Sequence, residues 1–139
     1  MLIDHDHLIG QVQHRARLTS RGGAEVAVRA TLQTLEKRIS EGTYQNLKAQ
    51  LPRGIGDYQD SSDIDRRRPG ERFSLDEFID RVARREGMRK QDAAFHARCV
   101  LEVVDEATTG GTTTHLKDEL PEEFRPLFEA GSRGEMKTN

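Results

Sequence analysis

Two segments of the chain resemble each other, and this internal similarity constrains the fold more than any other feature. The pattern Gly-Thr-x3-Leu-Lys-x2-Leu-Pro occurs twice, at 42–52 and 111–121. Further matches at offsets of 69 or 70 residues pair Asp6 with Asp76, Ile9 with Ile79, Val12 with Val82, Arg15 with Arg85, Ala24 with Ala93, Arg29 with Arg98 and Leu32 with Leu101. Apolar positions at helical spacing and helix-end residues are those that a duplicated helical fold must keep.

Each copy predicts three helices, because its apolar residues recur at three- and four-residue steps. The first helix of the first copy is expected at about 4–18, and a capping box at Ser74 and Glu77 begins its counterpart. Gly87 is placed to close that helix. The middle helices are expected to end at Gly42 and at Gly110-Gly111, with Thr43 and Thr112 capping the third helices. Pro121 opens a further turn that Phe124, Leu127 and Phe128 would hold on the core.

The segment 53–72 separates the two copies and contains few apolar residues. Basic and acidic residues are balanced in it, so it predicts a linker that is loose at least in part, in which Tyr58 and Ile64 could dock locally. The tail, 131–139, is expected to be flexible.

Neither copy spans more than about 50 residues, which is marginal for an independent core. The sequence therefore predicts one all-α domain over 1–130, in which repeats 4–52 and 73–129 pack face to face. The expected architecture is a six- or seven-helix bundle with pseudo-two-fold symmetry. The alternative is a swapped dimer, in which two chains exchange copies across the linker.

Two motifs in the second copy resemble a known bacterial family. The phrase FSLDEF-x3-VA-x-REG at 73–87 and the phrase LP-x2-F-x2-LF at 120–128 are similar to the family called domain of unknown function 2267. The first copy resembles the pattern more weakly, since Gly22-Gly23 interrupts the start of its middle helix. The resemblance implies an all-helical bacterial protein, and it assigns no reaction, ligand or catalytic residue.

The N-terminus contains residue types that bind metal ions: Asp4, His5, Asp6, His7 and His14. On a helix His7 and His14 would lie on one side but about 10 Å apart along the axis, which is too far to share one ion. The alternative is a solvated first helical turn, whose acidic groups favour the positive helix end. We assign no metal site here.

Asp92, His96 and Cys99 are spaced to lie on one stripe of a helix, in the order acid, base and nucleophile. Side chains on one helix project roughly in parallel, and no oxyanion donors are near in sequence. His96 and Cys99 also align with Ala27 and Ala30 of the first copy. We therefore interpret these residues as packing positions and predict no catalytic site.

Basic residues cluster around the start of the second copy: Arg66, Arg67, Arg68, Arg81, Arg84, Arg85, Arg89 and Lys90. Acidic neighbours dilute this charge, and Glu77–Arg81 and Asp80–Arg84 have the four-residue spacing that favours ion pairs on a helix. The net charge of the chain is −2. A salt-bridged surface is predicted rather than a nucleic-acid interface.

The remaining patterns exclude several classes of protein. The glycine pairs Gly22-Gly23 and Gly110-Gly111 follow no strand and precede no Gly-Lys-Ser/Thr, so they indicate helix ends rather than a phosphate loop. The cluster 112–114 indicates a cap whose threonine hydroxyls could be modified. A single cysteine, no apolar run long enough to span a bilayer and no secretory pattern favour a cytoplasmic protein.

These observations predict a small cytoplasmic protein that is not an enzyme. We expect a protein-interaction or self-association module, whose partner is another protein or a second copy, with no cofactor, nucleic acid or membrane involved. The alternative is a bundle that binds a small ligand or a metal between its two copies.

Overall fold

The computed structural model of the chain describes residues 4–56, 70–108 and 111–132. Within these ranges the chain is helical and has no β-strand, which confirms the all-α prediction. The helices are α1 (His5–Arg15), α2 (Arg21–Arg38), α3 (Glu41–Gln50), α4 (Leu75–Glu86), α5 (Lys90–Ala107), α6 (Thr112–Glu119) and α7 (Arg125–Glu129), with a 3₁₀ turn at Glu122–Phe124 before α7. None of the helices in the described part is long and apolar enough to cross a membrane.

Four of the helices begin at a side chain that accepts a hydrogen bond from a free backbone N–H of the first turn. The capping residues are Asp4, Ser20, Ser40 and Ser74. The expected cap at Thr43 is therefore wrong, because Ser40 caps α3 and Thr43 lies inside its first turn. Thr112 is likewise the first residue of α6 rather than its cap, which is Gly111 in the left-handed conformation, with φ +77°.

The ends of the helices also differ in part from those predicted. Helix α1 ends at Arg15 and α2 at Arg38, so Gly42 lies within α3 instead of closing α2. Gly22-Gly23 lies in the first turn of α2, where the Ser20 side chain accepts from the N–H of Gly23 at 3.0 Å. Gly87 closes α4 in the left-handed conformation as predicted, with φ +69°.

Four helices surround the main core. Helix α1 packs on α2 and α5, α2 packs on α4 and α5, and α4 packs on α5. Helix α3 contacts α6, and α7 contacts α5. Phe124 and Leu127 are buried and Phe128 is partly buried, which confirms that the C-terminal turn is held on the core. The Phe124 ring meets the Phe78 ring edge-on, with the centroids 5.8 Å apart.

The described ends of the predicted linker contact the helices. Tyr44 donates its hydroxyl to the carbonyl of Gly56 at 2.9 Å, and the N–H of Glu71 donates to the carbonyl of Lys37 at 2.8 Å. Tyr58 and Ile64 lie outside the described residues.

The first two residues of the predicted tail are held against α5. The carbonyl of Gly131 accepts from the Arg98 guanidinium at 2.8 and 3.1 Å. Ser132 donates to Glu102 through its N–H and its hydroxyl. The tail residues 133–139 lie outside the described part of the chain.

Candidate functional site

The acidic groups near the N-terminus have structural contacts. The Asp4 carboxylate accepts from the N–H of His7 at 2.8 Å and caps α1. Asp6 forms an ion pair with Arg21 on α2 at 2.6 Å. The described residues contain no group of three or more His, Cys, Asp or Glu side chains that could hold a metal ion. The arrangement from Asp4 to His14 is that of a capped helix start.

His96 has a partner that sequence spacing did not suggest. Its Nδ1 lies 2.6 Å from Oε2 of Glu86, the last residue of α4, and the two side chains are 7% and 3% exposed. The other carboxylate oxygen of Glu86, Oε1, is buried without a hydrogen-bond partner. Asp92 contacts Arg89 at 3.1 Å. Asp92 and His96 therefore have separate partners and do not contact each other as an acid–base pair would.

Cys99 is fully buried on α5. Burial raises the pKa of its thiol to about 11, and the negative charge of Glu102 adds to this effect while the charge of Arg98 opposes it. Because the thiolate is the reactive form of cysteine, a thiol in this environment is a poor nucleophile. Cys99 therefore serves as a small apolar side chain in the core.

The basic residues on α4 make specific contacts. Arg81 donates to Glu77 at 3.0 Å, as the four-residue spacing predicts, and its guanidinium lies 3.9 Å from the centroid of the Phe73 ring. Arg84 also pairs with Glu77. Arg85 donates to the hydroxyl of Thr34 on α2. Arg66, Arg67 and Arg68 lie outside the described residues.

A groove of about 520 Å³ opens beside α4 and the turn that leads into α5. Its lining residues are Glu77, Asp80, Ala83, Arg84, Gly87, Met88 and Lys90. Lys90 contacts the carboxylates of Asp76 and Asp80, and Asp76 makes the larger contribution to raising the pKa of Lys90. Met88 is 42% exposed, the largest exposure of a large apolar residue in the described ranges.

Two functional candidates, Glu86 and Arg38, were missed by sequence reasoning. Glu86 precedes a helix-ending glycine, a position typical of a solvated charge, and only the packing of α4 on α5 buries it. Arg38 is the last residue of α2, a position where a cation ordinarily interacts with the free carbonyls of the helix end in solvent. The burial of Arg38 could have been predicted from the apolar residues Leu35 and Ile39, which lie before and after it in the sequence.

Comparison with known proteins gives one result that bears on identity. No curated protein matches the chain. A family model described as "Uncharacterized conserved protein (DUF2267)" matches residues 5–127, which is most of the chain. This match confirms the family that the motifs at 73–87 and 120–128 resemble. The chain belongs to the DUF2267 family.

Proposed function

We propose that this protein is a non-enzymatic self-association module, whose partner is a second copy of the chain. The observation that carries the proposal is the groove beside α4, where the exposed Met88 lies among charged side chains of both signs. Protein interfaces combine an apolar centre with a polar rim, and methionine adapts to an irregular partner surface.

The charges of the groove suit pairing with an identical groove. A two-fold dimer uses the same patch twice, so the patch must be complementary to itself. Glu77 and Asp80 supply negative charges, and Arg84 and Lys90 supply positive charges. In the proposed dimer the two Met88 side chains meet near the symmetry axis, and the acids of one copy face the bases of the other.

The positions of groups with catalytic potential support a non-enzymatic role. Cys99 is buried with a raised pKa, and His96 is engaged by Glu86. Both groups contribute to the packing of α5, which accounts for them without a reaction.

Sedimentation velocity at increasing protein concentration tests the proposal. The wild type is expected to shift from monomer to dimer, and Met88→Glu is expected to remain monomeric because it places a charge at the centre of the interface. Val26→Glu is the matched control, since Val26 is the other exposed large apolar residue in the described ranges, at 37%, and lies on α2. High salt should weaken the dimer by screening the rim charges.

A wild type that stays monomeric at every concentration would contradict the proposal. The same holds for a dimer that Met88→Glu and Val26→Glu weaken equally, because the contact would then lie elsewhere.

We also propose that the bundle arose by tandem duplication and has pseudo-two-fold symmetry. We further propose that the protein is bacterial and resides in the cytoplasm. Matched helix lengths support the duplication: 11, 18 and 10 residues in α1–α3 against 12, 18 and 8 in α4–α6. The reciprocal packing of α1 on α5 and α2 on α4 is also expected of two such copies. The single, buried cysteine suits a reducing compartment. An experimental structure in which 5–50 does not superpose on 75–119 would contradict the symmetry.

The alternative function, a ligand-binding bundle, is favoured by a different observation. Arg38, the last residue of α2, is largely buried, and no carboxylate among the described residues lies within ion-pair distance of its guanidinium. Native mass spectrometry tests this alternative, since a ligand retained from the cell would appear as a stoichiometric adduct.

A further inference from the structure

Arg38 is a buried cation at the end of α2, with the residue only 7% exposed. Its Nε donates to the carbonyl of Phe73 at 2.8 Å. Its guanidinium carbon lies 5.9 Å from the centroid of the Phe73 ring and 5.2 Å from that of Phe124. These contacts hold the side chain in a fixed position between two segments of the protein.

The hydrogen-bonding capacity of Arg38 is largely unused by the described residues. A guanidinium carries five N–H donors, and among these residues only the Phe73 carbonyl accepts from Arg38. No carboxylate in the described part of the chain lies within the 4.0 Å of an ion pair with it. The terminal nitrogens of Arg38 are not among the fully buried unpaired atoms of the described residues, so these donors reach solvent at the end of α2.

The nearby acid Glu119 is already engaged by other donors. Its Oε1 accepts from the hydroxyls of Thr43 at 2.6 Å and Ser40 at 3.0 Å, and its Oε2 accepts from the N–H of Ser40 at 2.6 Å. Glu119 is therefore held at the start of α3, beside its cap Ser40, and contributes only a long-range attraction to Arg38.

A second cation, Arg72, lies close enough to act on Arg38. Burial lowers the pKa of Arg38, the positive charge of Arg72 lowers it further, and the charges of Glu119 and Glu123 oppose this. Arg72 is exposed, whereas Arg38 is buried. Arg72 directly precedes Phe73, the residue whose carbonyl accepts from Arg38, so two positive charges act on each other at this end of α2.

We propose that Arg38 and Arg72 form an anion-binding site that takes one phosphate or carboxylate group. The planar donors of arginine match the oxygens of either group, and a fixed Arg38 would lose little conformational freedom on binding. An anion would supply the negative charge that Arg38 lacks. The site goes beyond self-association and lies at α2 rather than in the groove beside α4.

The first test titrates the full chain with inorganic phosphate and with acetate, each against chloride at equal ionic strength. The readout is the side-chain Nε–Hε resonance of Arg38 in a ¹H–¹⁵N spectrum. We expect the chemical shift of this resonance to change saturably with either anion. The anion that binds more tightly shows whether the natural ligand carries a phosphate or a carboxylate group. Identical behaviour in all three salts would overturn the proposal.

Variants with opposite expected effects distinguish a specific anion-binding site from non-specific attraction of anions to positive surface charge. Arg72→Gln should weaken phosphate or acetate binding about fivefold, the effect of losing about 1 kcal/mol from an exposed charged contact. Glu123→Gln should tighten binding, since it removes a nearby negative charge. Arg53→Gln, at an exposed position after α3, is the control and should leave the affinity unchanged.

Arg38→Met keeps an apolar side chain but removes the guanidinium, so it should abolish saturable anion binding. Because this variant has no Arg38 resonance, binding is followed by the rise in its unfolding temperature with phosphate or acetate concentration. Should that variant fail to fold, Arg72→Gln and Glu123→Gln still decide the outcome, because both positions are exposed. Equal loss of affinity in Arg72→Gln and Arg53→Gln would indicate an adventitious ion only, and would overturn the proposal.

Discussion

The hairpin of α1 and α2 and the hairpin of α4 and α5 use similar helices but make different buried contacts. The sequence alignment pairs Glu86 with Ala16 and His96 with Ala27. The two alanines are buried and apolar, whereas Nδ1 of His96 and Oε2 of Glu86 form a buried polar contact of 2.6 Å. Two helices of this type therefore pack with either an apolar contact or a buried polar contact at these positions. The comparison indicates that this polar contact is not needed to form a hairpin, but that each of the two groups depends on the other for a partner once it is buried.

The largest effect is expected from removing one member of this pair. His96→Ala leaves the Glu86 carboxylate buried without its partner and should lower the free energy of unfolding by about 3 kcal/mol or more. Urea denaturation followed by circular dichroism measures the change. Ala27→Ser, at the aligned position of the other hairpin, should cost less, because it buries a small neutral hydroxyl.

The double variant Glu86→Ala/His96→Ala sharpens the comparison by giving the second hairpin the side chains of the first. Its loss of stability should be smaller than the sum of the two single losses, by about 1 kcal/mol or more, since neither polar group remains buried without its partner. Additive losses would show that Glu86 and His96 act independently, contrary to the observed contact.

The third helices of the two segments also differ in what their last residues contribute. Helix α6 ends at Glu119, whose carboxylate accepts from Ser40 and Thr43 at the start of α3. The alignment pairs Glu119 with Gln50, a neutral residue at the end of α3. Only the second segment therefore supplies a charged hydrogen-bond acceptor to the other at this contact, among the residues described.

Glu119→Gln should lower stability at neutral pH by about 1 kcal/mol, a smaller effect than that of His96→Ala. Burial acts to raise the pKa of Glu119, but hydrogen bonds from Thr43 and Ser40 outweigh it, so the pKa lies below its ordinary value. A lowered pKa gives stability that is present above about pH 4.5 and lost as the pH falls through the folded-state value.

Urea denaturation of wild type and Glu119→Gln between pH 3 and pH 7 measures this difference. The two stabilities should converge as the pH falls. Burial raises the pKa of Glu36, so its contribution to stability changes with pH in the opposite direction. Because Glu36 is present in both proteins, its contribution cancels in the difference. A difference that stays constant over the whole range would mean that the charge of Glu119 contributes nothing.

Sequence reasoning predicted the helices better than their polar contacts, for a physical reason. Helical periodicity identifies apolar faces, and the apolar residues of α1 and α4, such as Val12 and Val82, are buried as expected. Periodicity does not show which helices pack together, so the partner of His96 could not be found from spacing within α5. Contacts such as Arg38 with Phe73 depend on that packing, over 35 residues of sequence separation.

The smallest expected effect concerns the residues that close α1 and α4. Arg17 and Gly87, which the alignment pairs, both adopt the left-handed conformation, with φ +57° and +69°. This conformation costs a side chain about 1 kcal/mol that glycine does not pay. Arg17→Gly should therefore raise the free energy of unfolding by up to about 1 kcal/mol, and Gly87→Ala should lower it by a similar amount. Thermal and urea unfolding of both variants measure the two changes. A destabilised Arg17→Gly would show that the arginine side chain contributes more to the fold than its backbone strain costs.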